Sequence, residues 1–297
     1  MVDAMKIAIT GARGFIGRHI LAELANYPIG IIRYPIEVIA TTRDKSKLKD
    51  VAENVQVVEL DIANPQPDDY ERLHEPDVLI HLAWENLLDY KSLHHFEVEM
   101  PRQYQFLKGL ITTGLPSLVV AGTCFEYGMQ PGMLSEEMIP LPTNPYGYAK
   151  DALRQQLEFL RGKRPFALTW TRPFYIYGDE QSGGSIYSQL KEAVTQGKTE
   201  FNMSGGEQLR DYLPVNEVAN ILVSLAVRQK NFGVVNVCSG KPRSIRNLVE
   251  GWLKENNWNI NLKLGHYNYS DYEAMAFWGC RLKLNTILEG HETQRII

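Results

Sequence analysis

Cysteine is scarce in this chain: Cys124, Cys238 and Cys280 are the three thiols among 297 residues, and no Cys-x-x-Cys spacing links them. So odd and dispersed a set excludes a disulfide framework and points to no metal site. Thiols used this sparingly fit a reducing cytoplasm. Neither charge is in large excess. Lys and Arg number 31 against 35 Asp and Glu, a formal charge of -4, so the concentrated basic face of a nucleic-acid binder is not expected. No apolar stretch is long enough to cross a bilayer. The opening MVDAMKIAIT has a single Lys and no small-residue cleavage site, so no signal peptide is expected either. Repeats and low-complexity tracts are missing. With 44% hydrophobic residues and ordinary Gly and Pro, the chain is neither disordered nor collagen-like. What is left is a globular protein with room for one main core and a smaller companion.

Short apolar runs alternate with amphipathic stretches. Residues 6–10, 37–42, 55–60, 78–83, 117–121 and 166–171 are too short and too apolar for helices and read as buried strands. Helical spacing runs through 15–24, 101–110 and 146–160. This alternation predicts an α/β fold, a Rossmann-type doubly wound parallel sheet with right-handed crossovers. Ligands in such a sheet sit beyond the carboxyl ends of the strands. After Pro173 the pattern loosens and turns richer in Gly, Asn and aromatics. Residues 174–208 plus 233–297 are therefore assigned to a smaller C-terminal substrate-binding lobe, and 1–173 plus 209–232 to the dinucleotide domain. Asn26 to Pro35 reads as an extra loop before the second strand.

Gly11-Ala12-Arg13-Gly14-Phe15-Ile16-Gly17 joins the first strand to the first helix. Glycines there allow a tight turn and close backbone approach to a pyrophosphate, with the helix N-terminus behind it. A plain glycine turn has the same composition, but the strand before and the helix after favour a dinucleotide site. An NAD site carries an acid at the end of the second strand. Here Thr41-Thr42-Arg43-Asp44 offers a neutral Thr42 and a guanidinium suited to a 2′-phosphate, which favours NADP(H) and leaves NAD(H) open. Tyr146 and Lys150 stand one turn apart on one helix face. An ammonium at that spacing is expected to stabilise the phenolate and bring the phenol toward neutral pH. Thr123, just past the fifth strand, adds a hydroxyl at the edge where substrates bind.

With these residues in hand, the sequence resembles the extended short-chain dehydrogenase/reductases, in their nucleotide-sugar branch. The likeness runs through 10–17, Asp61-Ile62, His81-Leu82-Ala83, 123–128, Tyr146 with Lys150, Arg172-Pro173-Phe174, Tyr177-Gly178, Arg210-Asp211-Tyr212 with Val215, and 235–240. It implies that Asp61 and Ile62 hold the adenine, Leu82 and Ala83 line the dinucleotide, and Pro173 sits beside the nicotinamide. Arg210 is expected to reach a substrate diphosphate, and helices 97–113 and 146–161 to pair across a homodimer in a four-helix bundle. Trp84, Cys124, Phe125 and Tyr175 are further candidates for the substrate wall, with Trp84 either under the sugar or filling the core. His81 reads as structural.

Departures from the family pattern narrow the reaction. The dehydratases of the family need an Asp-Glu pair after the Thr; Cys124 and Phe125 stand there instead. The double epimerases need a Cys where Phe125 lies, Tyr175 replaces a family Asn, and no phosphate-binding Arg is evident around Tyr267-Asn268. Segments 123–128 and 272–279 look similar to those of dTDP-6-deoxyhexose 4-dehydrogenases. The resemblance thus implies an NAD(P)H-dependent reductase of a nucleotide-linked 4-keto-6-deoxyhexose, used for deoxysugars of surface polysaccharide. The alternatives are a UDP-sugar 4-epimerase that retains NAD and, less favoured, an NADP-sensing regulator without catalysis.

Overall fold

Strands that are apolar on both faces must be covered on both faces, and the computed structural model, which describes residues 4–25, 35–48, 51–52, 54–181, 184–269 and 273–290, is built that way. Strands β1 (Met5–Thr10), β2 (Ile36–Thr42), β3 (Val55–Glu59), β4 (Val78–His81), β5 (Ser117–Ala121), β6 (Ala167–Pro173) and β7 (Gly233–Val237) form one sheet. Its order is β7-β6-β5-β4-β1-β2-β3, with every pairing parallel. This is the doubly wound sheet that the alternation predicts. Its order reverses between β1 and β4, where a crevice opens in such sheets. The extra loop read at 26–35 lies, Pro35 apart, outside the described residues, as do Tyr272 and 291–297.

Among the described residues the helices of eight residues or more are α1 (Phe15–Ala25), α2 (Met100–Thr113), α3 (Pro145–Arg161), α4 (Ile186–Thr195), α5 (Val215–Ala226), α6 (Ile245–Glu255) and α7 (Leu282–Glu289). Strand side chains alternate between faces, and the core divides accordingly. Ile7, Ile9, Val38 and Ala40 pack under α1 and α5. Ala8, Ile39, Leu79 and Val120 pack on the opposite face with Phe106 and Leu107 of α2 and Leu153 and Leu157 of α3. The helix expected from 97 begins as a wider π-type turn, His95–Glu99, which runs into α2.

Two assignments of the lobe differ from expectation. Gly233–Val237, assigned to the lobe, is the edge strand β7 beside β6. Its fourth residue, Asn236, looks wrong for a buried strand, but its amide donates to Leu134 O at 2.9 Å and accepts from the Tyr127 hydroxyl at 2.7 Å. In the other direction, Gly132–Leu134 pairs with Phe277–Gly279, and Leu209–Arg210 and Tyr212–Pro214 pair with Arg243–Ser244 and Tyr175–Tyr177 and do not rejoin the main sheet. The lobe has its own core, in which Tyr187 and Leu190 of α4 meet Phe201 and Leu248, Val249 and Trp252 of α6.

Candidate functional site

The glycine turn is set by backbone clearances. Gly11 has φ +71, and a Cβ there would lie 2.9 Å from Ala83 N and 3.0 Å from Leu82 C. A Cβ on Gly17 would come to 2.3 Å from Gly11 O. Only glycine lets β1, α1 and the chain after β4 close up in this way. A cavity of about 360 Å³ opens in front of the turn, lined by Gly11, Arg43, Asp61, Ile62 and Ala83 among the residues expected to hold a dinucleotide. Gly14, Phe15, Ile16 and Gly17 stand behind the turn and outside that lining, with Ile16 and Leu82 packed onto the core. Pro173 is buried at the end of β6 and is also outside it.

Thr42 donates to Asp44 O at 3.1 Å, and no carboxylate takes its place at the end of β2. Arg43 reaches across to Glu85 at 2.6 Å and remains largely exposed. Arg13, Lys47 and Arg102 line the same cavity. Two of these, Arg13 and Arg102, carry no sequence signal beyond charge. Glu85, His94 and Glu99 bring ligand-type atoms within 4.8 Å of one another, yet protein groups already engage both carboxylates. Glu85 holds Arg43, and Glu99 accepts from Glu85 N at 3.0 Å and from Gln103 Nε2 at 2.7 Å.

Tyr146 and Lys150 come from the first turns of α3. Asn144 caps that helix by accepting from Gly147 N at 2.8 Å, with Pro145 at the first helical position. A Cβ on Gly147 would strike Phe125 O at 2.5 Å. The bare glycine therefore brings α3 against the turn Cys124–Tyr127, and with it Tyr146 to Thr123. Tyr146 and Lys150 are both buried. Lys150 Nζ donates to Ala121 O at 2.8 Å, and it sits 3.8 Å over the Trp84 ring and 6.0 Å from the centre of the Tyr146 ring.

That geometry corrects the expected electrostatics. Burial pushes the Tyr146 phenol well above its ordinary 10, Tyr90 and Glu126 add to the rise, and the Thr123 hydroxyl works against it. Burial also pulls Lys150 down to about 7, with the charges of Glu126 and Glu99 opposing. Burial thus works against the charged form of both groups, and the one-turn spacing by itself does not bring the phenol toward neutral pH. His81, by contrast, is structural as expected. It is fully buried beside Thr10 Oγ1 at 2.8 Å, and burial, then Lys150, lowers it to about 3.

Thr123 has two local duties. Its hydroxyl accepts from Phe125 N at 3.2 Å, and its amide donates to Glu126 Oε1 at 2.9 Å. Glu126 is fully buried and also bonds Trp170 Nε1 at 2.9 Å and Arg172 Nε at 2.7 Å. Gly122 is bare for the same reason, since a Cβ would lie 2.2 Å from Trp170 Nε1. Tyr90 went unforeseen: it stacks on Tyr146 at 5.3 Å and takes the Tyr146 amide N–H on its carbonyl. It lies in an irregular stretch with no periodicity to reveal it.

The substrate-wall candidates converge in part. Phe125 meets Tyr146 edge-on at 6.4 Å and Tyr175 at 6.5 Å. Cys124 is buried, which pushes its thiol up. Trp84 lies under Lys150, donates to His95 Nδ1 at 3.0 Å and lines the cavity in front of the glycine turn. Arg210 is buried and held by Glu273 at 3.0 Å and by the carbonyls of Leu209 and Met275. Tyr175 donates to the other Glu273 oxygen. The guanidinium expected to wait for a diphosphate is thus engaged by a carboxylate 63 residues away in the chain.

Comparison with known proteins follows this geometry. A description of the NAD dependent epimerase/dehydratase family matches residues 7–238. Over 279 residues the chain is 31% identical to the dTDP-6-deoxy-L-talose 4-dehydrogenase (NAD(+)) of Aggregatibacter actinomycetemcomitans, taking in 93% of this chain and 100% of that one. Its fold is similar to the UDP-N-acetylglucosamine 4-epimerase of Methanobrevibacter ruminantium M1 in complex with UDP-N-acetylmuramic acid. That likeness has a TM-score of 0.82 at 21% identity, over 99% of this chain and 97% of the other. The UDP-glucuronic acid 4-epimerase of Bacillus cereus, in complex with UDP-glucuronic acid and NAD, gives 0.80 at 21% identity, over 96% and 93%.

Proposed function

This chain belongs to the NAD dependent epimerase/dehydratase family, and on that premise we propose that it reduces the 4-keto group of a nucleotide-linked 6-deoxyhexose. The observation that carries the reading is a single proton-donating wall. Tyr146 and Thr123 face one another there, while the next two positions are a buried thiol and a phenyl ring. The nearest carboxylate, Glu126, is consumed by Thr123, Trp170 and Arg172. One donor suits the reduction of one carbonyl; a dehydration needs a second acid–base pair.

The residues fit a nicotinamide dinucleotide, because the bare Gly11 and Gly17 let the turn close tightly on α1 and on the chain after β4, and Gly11, Asp61, Ile62 and Ala83 line the cavity in front. When bound, that group supplies or accepts the hydride. With that group bound, Lys150 would hold its ribose, Tyr146 would give a proton to the sugar oxygen, and Thr123 would hold that oxygen. The lobe takes the nucleotide, with Tyr175 and Arg210 at its wall. Exposed Tyr148 and Phe159 on α3 support a homodimer through α2 and α3. No described helix is long and apolar enough to cross a membrane.

For the adenosine end the reading is NADP(H). The neutral Thr42 and the cations Arg43, Lys47 and Arg13 support it, although the Aggregatibacter relative is named for NAD(+). Replacing Arg43 by Ala is expected to weaken NADPH about tenfold or more and NADH less than about twofold, since only a 2′-phosphate makes the charge-assisted contact. Fluorescence titration of both cofactors decides it, and equal losses would return the assignment to NAD(H).

The reaction is tested by incubating the protein with NADPH or NADH and a panel of nucleotide 4-keto sugars, following nicotinamide absorbance. Consumption with one sugar supports the reductase. The likeness to two 4-epimerases favours a second reading, epimerisation with retained NAD, which gives interconversion of UDP-sugars without net absorbance change.

A further inference from the structure

A second cavity, of about 720 Å³, lies where the start of α5, the turn after β7 and the start of α7 meet. Neither Thr123, Tyr146 nor Lys150 lines it, and it shares no lining residue with the dinucleotide cavity. Lys241 and Arg243 from one turn and Arg281 from the start of α7 come to its wall, against a single acid, Glu217. Lys241 and Arg243 are exposed, and no side-chain hydrogen bond or ion pair of theirs exists among the described residues. Arg281 is held in place, donating to Asn285 Oδ1 at 3.0 Å and to Cys238 O.

The backbone reinforces this charge. The caps of α5 and α7, Pro214 and Arg281, both line the cavity, and neither makes a side-chain cap bond. The positive ends of both helices thus add to the three side-chain cations. Asp211 builds the floor from behind. Its carboxylate accepts from Ser239 N at 2.7 Å, Ser239 Oγ at 2.6 Å, Gly240 N at 2.9 Å and Gly279 N at 3.3 Å, fixing the turn that carries Lys241. Asp211 is itself fully buried, so its charge is spent on those donors.

We infer that this cavity binds a small di- or polyphosphate anion at a site separate from the dinucleotide and the sugar. Its volume falls in the usual range of small-molecule sites, and Arg281 is held at its wall by Asn285 and the Cys238 carbonyl. Arg243 is the register partner of Arg210, and Tyr212 of the lining stacks on Tyr175 at 5.0 Å, so the cavity adjoins the Arg210–Glu273 pair. The inference stands apart from the proposed reduction and does not depend on it.

Inorganic pyrophosphate is the probe, titrated calorimetrically into the full chain saturated with NADPH so that the glycine turn is already filled. The wild-type protein is expected to take up pyrophosphate with an affinity that falls as salt rises. Lys241→Glu with Arg243→Glu lowers that affinity by at least about tenfold, as the loss of two charge-assisted contacts requires, and the double Gln variant lowers it less. Melting temperatures stay level because both side chains are exposed. Arg210→Met leaves uptake intact. No measurable uptake, equal affinity in the wild type and both double variants, or loss of uptake in Arg210→Met would each overturn the assignment, the last by moving the anion to the substrate wall.

Discussion

Tyr146→Phe is expected to lower the turnover of ketone reduction by at least about a hundredfold while leaving dinucleotide affinity within about twofold, the signature of a lost proton donor. The reason lies in what the substitution keeps. The ring is held by Tyr90 at 5.3 Å, His95 at 5.1 Å and Trp84 at 6.1 Å, and none of these contacts needs the hydroxyl. Packing survives and only the O–H is removed. Burial keeps the phenol protonated across the neutral range, so it enters the reaction as an acid. The phenolate that forms must then be stabilised by Lys150 as an ammonium. Lys150 is charged below about 7 and neutral above it, so the reduction rate should fall as pH rises through that value. Steady-state rates from pH 5.5 to 9 test both points. Turnover within twofold of wild type for Tyr146→Phe would remove the phenol from the mechanism.

The second large effect is on stability. Glu126→Ala is expected to cost about 3–5 kcal/mol, because it leaves Arg172 buried without its carboxylate. The two side chains are almost wholly inaccessible and 2.7 Å apart. Asp151, at 3.8 Å, is the next carboxylate, and the guanidinium otherwise rests 4.4 Å over the Tyr127 ring. Arg172 Nη1 already lacks a hydrogen-bond partner among the described residues, so little remains to absorb the loss. Removing Glu126 also frees the Thr123 amide and the Trp170 indole N–H. Urea unfolding monitored by tryptophan fluorescence reads the change directly. A loss below about 1 kcal/mol would mean that water or Asp151 satisfies Arg172 without help. Glu126→Gln should fall between, since its carbonyl can still accept from Trp170 while its amide opposes the guanidinium.

Much of this site was legible because its parts are local. Tyr146 and Lys150 share a face by helix geometry alone, and Gly11 and Gly17 are glycines for reasons that a strand-turn-helix pattern already contains. The Arg210–Glu273 pair was not legible: its members are 63 residues apart in the chain, and a guanidinium in a familiar motif reads the same whether it waits for a diphosphate or is held by a carboxylate. The likeness at 235–240 implies a strand and turn, but the place of β7 in the main sheet was not legible, for a related reason. Asn236 breaks its apolar run, and only Tyr127 and Leu134, both far away in sequence, make that amide acceptable in a buried strand.

The sequence by itself determined the doubly wound sheet, the glycine turn and the pairing of a phenol with an amine one helical turn on, because periodicity, chain stiffness and short-range spacing act before any long-range contact forms. Only the tertiary structure decided the charges. Whether Lys150 acidifies Tyr146, whether Arg210 is available and whether Glu126 serves as an acid or as a brace all depend on burial and on partners brought together by folding. Desolvation changes with depth, and no local pattern encodes how deep a side chain will lie.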